Sequence, residues 1–439
     1  MRRQGKALCL MLALAACKGD DGTETPDAGP NPTDPNANSR FTRLTLDGAE
    51  TDLQPLAMAV GPGDRIGVAY YFRVAGTANY EIRYVQVEGG QVSTPEKVDT
   101  VENVSALSVA FDSSGKAAVA YLGGGSDESV EWAQSDLEVA YRNGANNWSS
   151  SVPVTGSGQA PADNAVSNTG FLVGINPAIV FNGTTAYVAY RDGHSGQFEK
   201  QDWDGSDLEL ASGGPTNWNL RVLAAGGNNK AAYGGHINMV LGKDGQPALV
   251  HDQVSGSPDG TGSNVLFQRR NTDGSWTAPF QVQTVFNAQR GASLAWDATL
   301  GYGIAVVERS SSNRLTFVEC KGNTATQCTR AADWTTPDPV YESGTGGWYP
   351  SLAIDPKTHD PSIAFYLCSN SPGANEGTCN ANDDELRVTT RIEGNWREEL
   401  VDADGGWVPK MAYLSTGERV IAYRAPRSGT LKLAVERVQ

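Results

Sequence analysis

From residue 41 onward, short apolar runs alternate with polar turns in a unit that recurs along the chain. In the first copy, the apolar run LAMAV meets the turn GPGD, and a second apolar run, IGVAYY, ends in two tyrosines. Two apolar runs joined by a short turn of Gly, Pro and Asp are typical of a β-hairpin. Seven copies of this hairpin are present, at residues 56–71, 107–122, 178–191, 237–252, 293–308, 351–366 and 410–424.

A second, more polar hairpin separates successive copies. Its first strand is an alternating run such as LEVAYR or LTFVEC, and its turn often ends in Trp. These tryptophans are Trp148, Trp218, Trp276, Trp334 and Trp396. Four short strands in every 51 to 69 residues predict the blade of a β-propeller. The chain is therefore predicted to be all-β, a seven-bladed propeller of four-stranded blades. A tandem of β-sandwiches, the alternative fold, does not explain a two-hairpin unit that recurs seven times.

The two ends of the repeat are complementary. The last copy finishes with a third strand at 431–438 that has no fourth strand after it, and the first copy is preceded by a strand at 41–46 that has no blade of its own. We expect residues 41–46 to pair with 431–438 and complete the seventh blade. Such pairing would remove an unpaired edge and close the ring.

The first forty residues have a different character. A basic start, MRRQGK, precedes a short apolar run that ends in LAAC, with Cys17 last. This order resembles the lipobox of bacterial lipoproteins, the alternative being an ordinary secretory signal that contains a Cys. The resemblance implies a signal peptide at 1–16, a lipid on Cys17, and an outer-membrane or cell-surface location, because Lys18 replaces the Asp that retains lipoproteins in the inner membrane. Residues 17–40, rich in Pro, Gly and Asp, are predicted to be a disordered tether before a propeller domain at 41–439.

Charge and cysteine content narrow the class of protein. The formal net charge of -16 repels nucleic acid and anionic lipid, so nucleic acid is not an expected partner and membrane contact is expected through the lipid on Cys17. No run of 18 apolar residues is present, so the sequence predicts no transmembrane helix. Cys320 with Cys328, and Cys368 with Cys379, are close pairs that predict two local disulfides in an exported chain. Zinc binding is the alternative, although neither pair has Cys-x-x-Cys spacing.

One turn carries a family resemblance. The letters TDGSW at 272–276 resemble the Asp-box turns of sialidase-like and related lectin propellers, with weaker versions at 217–218 and 394–396. In those families the turn is structural, so the resemblance implies the propeller fold and no particular activity. A sialidase would also need three convergent Arg, and the positions where the blades begin hold other residues. Those residues are Ala57, Ser108, Ala178, Asn238, Ser293, Ser351 and Lys410.

Several polar residues fall on one predicted face of the propeller. The loop that leads into the first strand of a blade and the loop after its second strand lie on the same face, where the central channel opens. The candidate ligand-binding residues on this face are Tyr190, Arg191, Asp192, His194, His236, His251 and Asp252. We expect the runs at 190–196 and 234–239 to meet at the junction of blades 3 and 4, with His359 on the opposite face.

Four interpretations of this set remain open. The residues could bind a glycan or another ligand, or they could carry out acid–base chemistry with a neutral His, a Tyr and an Arg that neutralises a carboxylate. The run YRDGHSG resembles a segment of some propeller polysaccharide lyases. In this interpretation, the candidate catalytic residues are Tyr190, Arg191, His194, His236 and His251. Two or three His with Asp192 or Asp252 could instead hold a metal ion. In the fourth interpretation, the set lines the channel mouth and binds loop backbones.

A second pattern recurs where third strands begin. The letters SDLE occur at 135–138 and 206–209, and DDEL occurs at 383–386. Clustered carboxylates can bind calcium, whereas Ser and Asp at a strand start often cap backbone amides in a turn. The repeated structural turn is the favoured interpretation, and no cofactor is predicted.

Three functions are compatible with these features. The favoured hypothesis is a monomeric, lipid-anchored recognition module for glycans or proteins, because the sequence does not present a complete catalytic set. The alternatives are a lyase-like, polysaccharide-active enzyme that uses the residues between blades 3 and 4, and a structural envelope protein without a small ligand.

Overall fold

The computed structural model describes the chain over the following residues: 34–48, 54–124, 135–156, 169–170, 172–193, 206–226, 231–255, 263–285, 291–308, 314–320, 328–342, 346–368 and 384–437. The predicted signal peptide, Cys17 and most of the predicted tether lie outside these ranges. Across the described ranges, the helices are too short and too polar to cross a membrane.

The described strands form seven antiparallel sheets, one for each predicted unit. The first strand of the chain, β1 (Phe41–Asp47), belongs to the last sheet, blade 7. Blade 1 contains β2 (Leu56–Gly61), β3 (Arg65–Arg73), β4 (Tyr80–Glu88), the two-residue β5 (Gln91–Val92) and β6 (Glu96–Val101). Blade 2 contains β7 (Ser108–Phe111), β8 (Ala117–Gly123), β9 (Asp136–Gly144) and β10 (Asn147–Thr155). Blade 3 contains β11 (Leu172–Asn182), β12 (Thr185–Gly193), β13 (Asp207–Gly214) and β14 (Asn217–Ala224).

The remaining blades repeat this order. Blade 4 contains β15 (Ala231–Leu241), β16 (Pro247–Ser255), β17 (Ser263–Arg269) and β18 (Phe280–Val285). Blade 5 contains β19 (Ala292–Asp297), β20 (Gly301–Glu308), β21 (Arg314–Cys320) and β22 (Asp338–Tyr341). Blade 6 contains β23 (Trp348–Ile354), β24 (Pro361–Leu367), β25 (Glu385–Ile392) and β26 (Asn395–Asp402). Blade 7 contains β27 (Trp407–Tyr413), β28 (Arg419–Ala425) and β29 (Thr430–Glu436) beside β1.

The first strand of each blade contacts the first strand of the next, and β27 contacts β2, so the seven sheets form a closed ring. The ring closes as the sequence predicted. Strand β1 pairs antiparallel with β29, from Phe41 opposite Glu436 to Asp47 opposite Leu431. Blade 7 thus takes its outer strand from the start of the domain, and the edge of β29 is covered. The all-β, seven-bladed propeller is confirmed.

The tryptophans at the second turns link neighbouring blades. Trp148 Nε1 donates to Glu96 Oε2 at 3.1 Å, and Trp396 Nε1 donates to Asp338 Oδ2 at 2.8 Å. Each acceptor lies in the outer strand of the preceding blade. The Trp148 ring also packs edge-on against Tyr84, with the ring centroids 5.2 Å apart. An indole suits this position because its apolar body fills the interface while its N–H finds an acceptor at the edge.

The residues at which the blades begin hold the ring together near its axis. Ser351 Oγ accepts the Met411 N–H at 2.8 Å, and Ser293 Oγ accepts the Leu352 N–H at 2.9 Å. Ser108 and Asn238 accept a backbone N–H from the next blade in the same way. These short polar side chains therefore satisfy buried backbone donors between adjacent first strands.

Two further contacts fix peripheral segments. Cys320 and Cys328 form the predicted disulfide, with an S–S distance of 2.09 Å. Cys368 is also disulfide-bonded, while Cys379 lies outside the described residues. Residues 36–40, which the sequence placed in the tether, pack against blade 6, where Ser39 Oγ donates to the carbonyl of Val401 at 2.8 Å.

Candidate functional site

Five blades share an unusual backbone conformation at the channel mouth. Two residues before the blade-start position, the chain adopts a left-handed φ between 43° and 64° in blades 3 to 7. These residues, which we name the mouth ring, are Asn176, His236, Gly291, Tyr349 and Val408. In blades 3, 4, 6 and 7 the left-handed residue coincides with a β-bulge in the first strand. Bulges re-aim side chains, and left-handed non-glycine residues are concentrated at functional sites.

The local sequence explains this conformation in four blades. A glycine stands two residues before the mouth-ring position, where the backbone runs close to the preceding blade. A Cβ on Gly234 would lie 2.9 Å from Cβ of Arg191, and a Cβ on Gly174 would lie 2.7 Å from the Asp136 carbonyl oxygen. The four runs are GINP, GGHI, GWYP and GWVP, which begin at Gly174, Gly234, Gly347 and Gly406. The spacing of these glycines is a sequence signal for the mouth ring, of which only His236 was among the predicted site residues.

One mouth-ring side chain is held by a buried acid. His236 Nδ1 lies 2.9 Å from Asp252 Oδ2; the His236 side chain is 29% exposed and that of Asp252 is 1% exposed. Burial raises the pKa of Asp252, while the hydrogen bond with His236 lowers it. Because Asp252 fixes one ring nitrogen, the other nitrogen of His236 is oriented away from the pair. An imidazole oriented in this way can bind a hydroxyl group or transfer a proton.

Three other predicted residues are buried in the same region. Tyr190 is fully buried, and its hydroxyl donates to Glu209. Burial and the Glu209 carboxylate raise the pKa of Tyr190 far above its ordinary value. His251 is also fully buried; its Nδ1 accepts the Gly234 N–H at 3.4 Å, and burial lowers its pKa to about 4. Arg191 is 3% exposed. In this structure these side chains support the site and do not face solvent.

The buried tyrosine belongs to a repeated arrangement. Tyr423 donates to Asp402 Oδ2 at 2.6 Å, Tyr121 donates to Glu138 Oε2 at 2.8 Å, and Tyr70 donates to an aspartate in blade 7 at 2.6 Å. The four tyrosines stand near the same end of the second strand in blades 1, 2, 3 and 7. A side chain that recurs in this way serves the framework, which favours the structural interpretation of Tyr190.

The acidic side chains of blade 3 cap backbone amides. Asp192 is fully buried and accepts the Gly170 N–H at 3.0 and 3.1 Å. Burial and the neighbouring Glu209 raise the pKa of Asp192 to about 8. Asp207, also buried, accepts the Gly226 N–H at 2.6 Å, and its pKa is raised to about 7, chiefly by burial.

The recurring SDLE pattern is a structural turn in blades 2 and 3. Ser135 Oγ donates to the Val173 carbonyl at 2.9 Å, and Ser206 Oγ donates to the Tyr233 carbonyl at 3.0 Å. Each acceptor directly precedes the glycine that opens the next blade, so the pattern fixes the start of the bulge. Within the described ranges, no group of three His, Cys, Asp or Glu side chains is arranged to hold a metal ion.

The remaining histidines lie elsewhere. His359 lies in the turn between β23 and β24, and its Nδ1 is 2.9 Å from Asp297 Oδ2. This turn joins the first two strands of blade 6 at the end remote from the mouth ring. His194 lies outside the described residues, so its distance from His236 is not defined.

Half-buried aromatic and amide side chains accompany the mouth ring. The Tyr349 ring packs against Trp407, with the centroids 4.8 Å apart. On blade 4, Gln253 Nε2 donates to the Tyr233 hydroxyl at 3.1 Å. Aromatic faces and hydrogen-bonding side chains on one surface are the usual means by which proteins contact polar organic ligands.

Comparison with known proteins gives a fold-level result. No family model matches the chain, and no curated protein matches it. Similar solved structures include a PL25 ulvan lyase bound to -[GlcA(1-4)Rha3S]-, with a TM-score of 0.51, 13% identity, and coverage of 88% of this chain and 93% of that chain. A Hadza microbial sialidase has a TM-score of 0.48 and 12% identity, and the alignment covers 83% of this chain and 74% of the sialidase chain. The alpha-L-arabinanase of Penicillium chrysogenum complexed with arabinobiose has a TM-score of 0.47 and 10% identity, over 90% and 97% of the two chains. At 13% identity, the similarity to the ulvan lyase indicates a shared fold alone.

Proposed function

We propose that this protein is a glycan-recognition module and that the mouth ring, with the His236–Asp252 pair, forms its binding site. The observation that supports the proposal best is that pair: a half-buried imidazole in a left-handed backbone conformation, fixed by an acid with 1% exposure. Left-handed non-glycine residues destabilise a fold, so their recurrence at the equivalent position inside the first strands of four blades favours a function for that face.

The chemistry of the surrounding side chains fits a sugar. Asn176 and His236 offer hydrogen-bonding groups to hydroxyls on blades 3 and 4, while Tyr349 and Trp407 offer aromatic rings on blades 6 and 7. Sugars present hydroxyl groups at their edges and C–H groups on their faces, so they require both kinds of contact. Solved structures with this fold include proteins bound to arabinobiose and to -[GlcA(1-4)Rha3S]-, which makes these oligosaccharides reasonable first probes.

The test is titration calorimetry of the propeller domain with arabinobiose, a sialylated oligosaccharide and the GlcA-Rha3S disaccharide. For a probe that binds, His236→Ala should weaken affinity by about tenfold, the effect of losing one hydrogen bond. The matched control is His359→Ala, because His359 is also left-handed and also bonded to an aspartate, but lies at the opposite end of its blade. Equal losses in the two variants would contradict the proposed site, and a wild-type protein that binds none of the probes would count against glycan recognition.

The same pair supports a second candidate function, an eliminative polysaccharide lyase. His236 would take the proton at C5 of a uronate; the C5 electron pair would form the C4–C5 double bond, and the C4–O bond would break as its oxygen takes a proton from water. Incubation of the wild-type protein with ulvan should then produce the ultraviolet absorbance of an unsaturated uronate. Asp252→Asn should abolish that absorbance, because it removes the acid that orients His236. Constant absorbance with the wild-type protein would exclude this activity on ulvan.

Membrane attachment is a separate part of the proposal. The segment that ends in Cys17 resembles a lipobox, and the acidic surface would not adhere to anionic lipid unaided. In a bacterial host, Cys17→Ser should move the protein from the membrane fraction to the soluble fraction. Cys9→Ser is the control, since Cys9 lies within the apolar run and should not affect attachment. Persistent membrane association of the Cys17 variant would contradict lipid anchoring.

A further inference from the structure

The first strands of five blades line an open cavity of about 480 Å³ near the axis of the propeller. Its lining comes from blades 1, 2, 3, 4 and 7 and consists mainly of Ala, Val, Leu, Ile, Met and Pro side chains. The cavity reaches the mouth ring at Val408. Its volume falls within the range of about 300–1,000 Å³ that is usual for small-molecule sites.

Three of the described lining residues are polar, and all three can donate a hydrogen bond. They are Ser108, Asn238 and Lys410. Ser108 Oγ accepts the Ile179 N–H at 3.1 Å, which leaves its own proton to be donated. Asn238 Oδ1 accepts the Leu294 N–H at 2.9 Å, which leaves its amide protons. The described lining contains neither Asp nor Glu.

Lys410 is the one ionisable side chain in the described lining, and it lies among apolar side chains. Its amino group has no ion-pair or hydrogen-bond partner among the described residues. Burial lowers the pKa of Lys410, because the charged form loses hydration that the apolar walls do not replace. A negatively charged guest would provide the missing partner, and the donors of Ser108 and Asn238 favour the same sign of charge.

We infer that the axial cavity binds a small amphipathic carboxylate, with the carboxylate at Lys410 and an apolar body against the surrounding strands. The size of the cavity and its apolar walls select the body of the ligand, while the lysine and the neutral donors select the anion. This site differs from the proposed glycan site in ligand chemistry, and Val408 is the one mouth-ring residue in its described lining.

The test uses octanoate, 1-octanol and octylamine as probes in titration calorimetry at neutral pH with the propeller domain. The three probes share one chain and differ in the charge of the head group. The wild-type protein should bind octanoate about tenfold or more tightly than octanol, the effect of one charge-assisted hydrogen bond. Octylamine should bind more weakly than either.

Lys410→Met keeps the length and apolar stem of the side chain and removes the charge. This variant should lose the preference for octanoate and bind octanol at least as well as the wild-type protein. It should also unfold at a higher temperature, which shows that lost binding is not lost folding. Lys97→Met is the matched control, because Lys97 is 57% exposed on the outer strand of blade 1.

Equal affinity of the wild-type protein for octanoate and octanol would overturn the inference. So would octanoate binding that survives Lys410→Met unchanged, or the absence of binding by all three probes. His236→Ala should leave octanoate affinity unchanged, so a failure of the glycan proposal and a failure of this inference are distinguishable.

Discussion

The left-handed conformation of Val408 provides a direct test of how the mouth ring is built. Val408 has a φ of 47° and packs against the same apolar cluster as Val60, which does not have a positive φ. A residue with a Cβ in the left-handed region is destabilised by about 1–2 kcal/mol relative to glycine. In ordinary strand conformations the order is reversed, and Ala is more stable than Gly by about 0.5–1 kcal/mol.

The experiment therefore compares glycine with alanine at two valines. At position 408, the glycine variant should be more stable than the alanine variant by about 0.5–1 kcal/mol. This value is the penalty for a Cβ in the left-handed region minus the advantage of Ala over Gly in an ordinary strand. At position 60, Val→Ala should be the more stable variant by a similar amount. Within each pair the two variants differ by the same single Cβ methyl group, and both sites pack against one apolar cluster, so a change of sign between the sites isolates the backbone conformation.

Urea unfolding followed by tryptophan fluorescence gives the four free energies of unfolding. The expected result is a change of sign between the two sites. An alanine variant that is more stable than the glycine variant at both positions would show that residue 408 is not left-handed in solution, and the reasoning about the mouth ring would fail with it.

Three further predictions concern the framework around the site. Tyr423→Phe should lower the free energy of unfolding by about 2 kcal/mol, since it removes a 2.6 Å hydrogen bond to the buried carboxylate of Asp402; an unchanged urea midpoint would contradict this. Because burial raises the pKa of Asp192 from 3.8 to about 8, the folded protein binds that proton more tightly than the unfolded chain, and stability is lost as pH rises between these values. Asp192→Asn should therefore be more stable than the wild-type protein by about 2 kcal/mol above pH 8 and equally stable near pH 4. Thermal unfolding of both proteins across this pH range measures the difference in stability. A difference that stays constant with pH would contradict the prediction. Replacing Cys320 and Cys328 by Ala opens a loop with a sequence separation of 8 and should cost about 2–3 kcal/mol, measured against the wild-type protein with and without reductant.

The fold could be predicted because its determinants are local and repeated. Each blade has its own apolar hairpin, and the unmatched strands at the two ends of the domain specified how the ring closes. The pairing of Phe41 with Glu436 follows from that count of strands. Small polar residues such as Ser293 and Ser351 at the blade starts were visible in the sequence, but their role in binding the next blade required the structure.

The site was less predictable because a strand pattern does not reveal which polar side chains remain exposed. Tyr190 and His251 end second strands on the expected face, yet both are fully buried. Alternation along a strand assigns side chains to two faces, but in a propeller both faces are covered by neighbouring blades. The left-handed φ of Tyr349 and Val408 also could not be read from residue type, since neither residue favours that region.

Comparison of equivalent positions between blades separates framework from site. The residue opposite the bulge in the second strand is Arg191 in blade 3 and Arg424 in blade 7. Arg424 donates to the Tyr71 carbonyl at 2.9 Å and so binds blade 7 to blade 1. In blade 4 the same position is Asp252, and its partner is His236. In blade 6 the same position is Tyr366, so among these four blades only blade 4 has an acid here, and that acid orients an imidazole at the channel mouth. A buried acid is costly to a fold and is expected where function requires it, which is the reason to search for a ligand first at this blade.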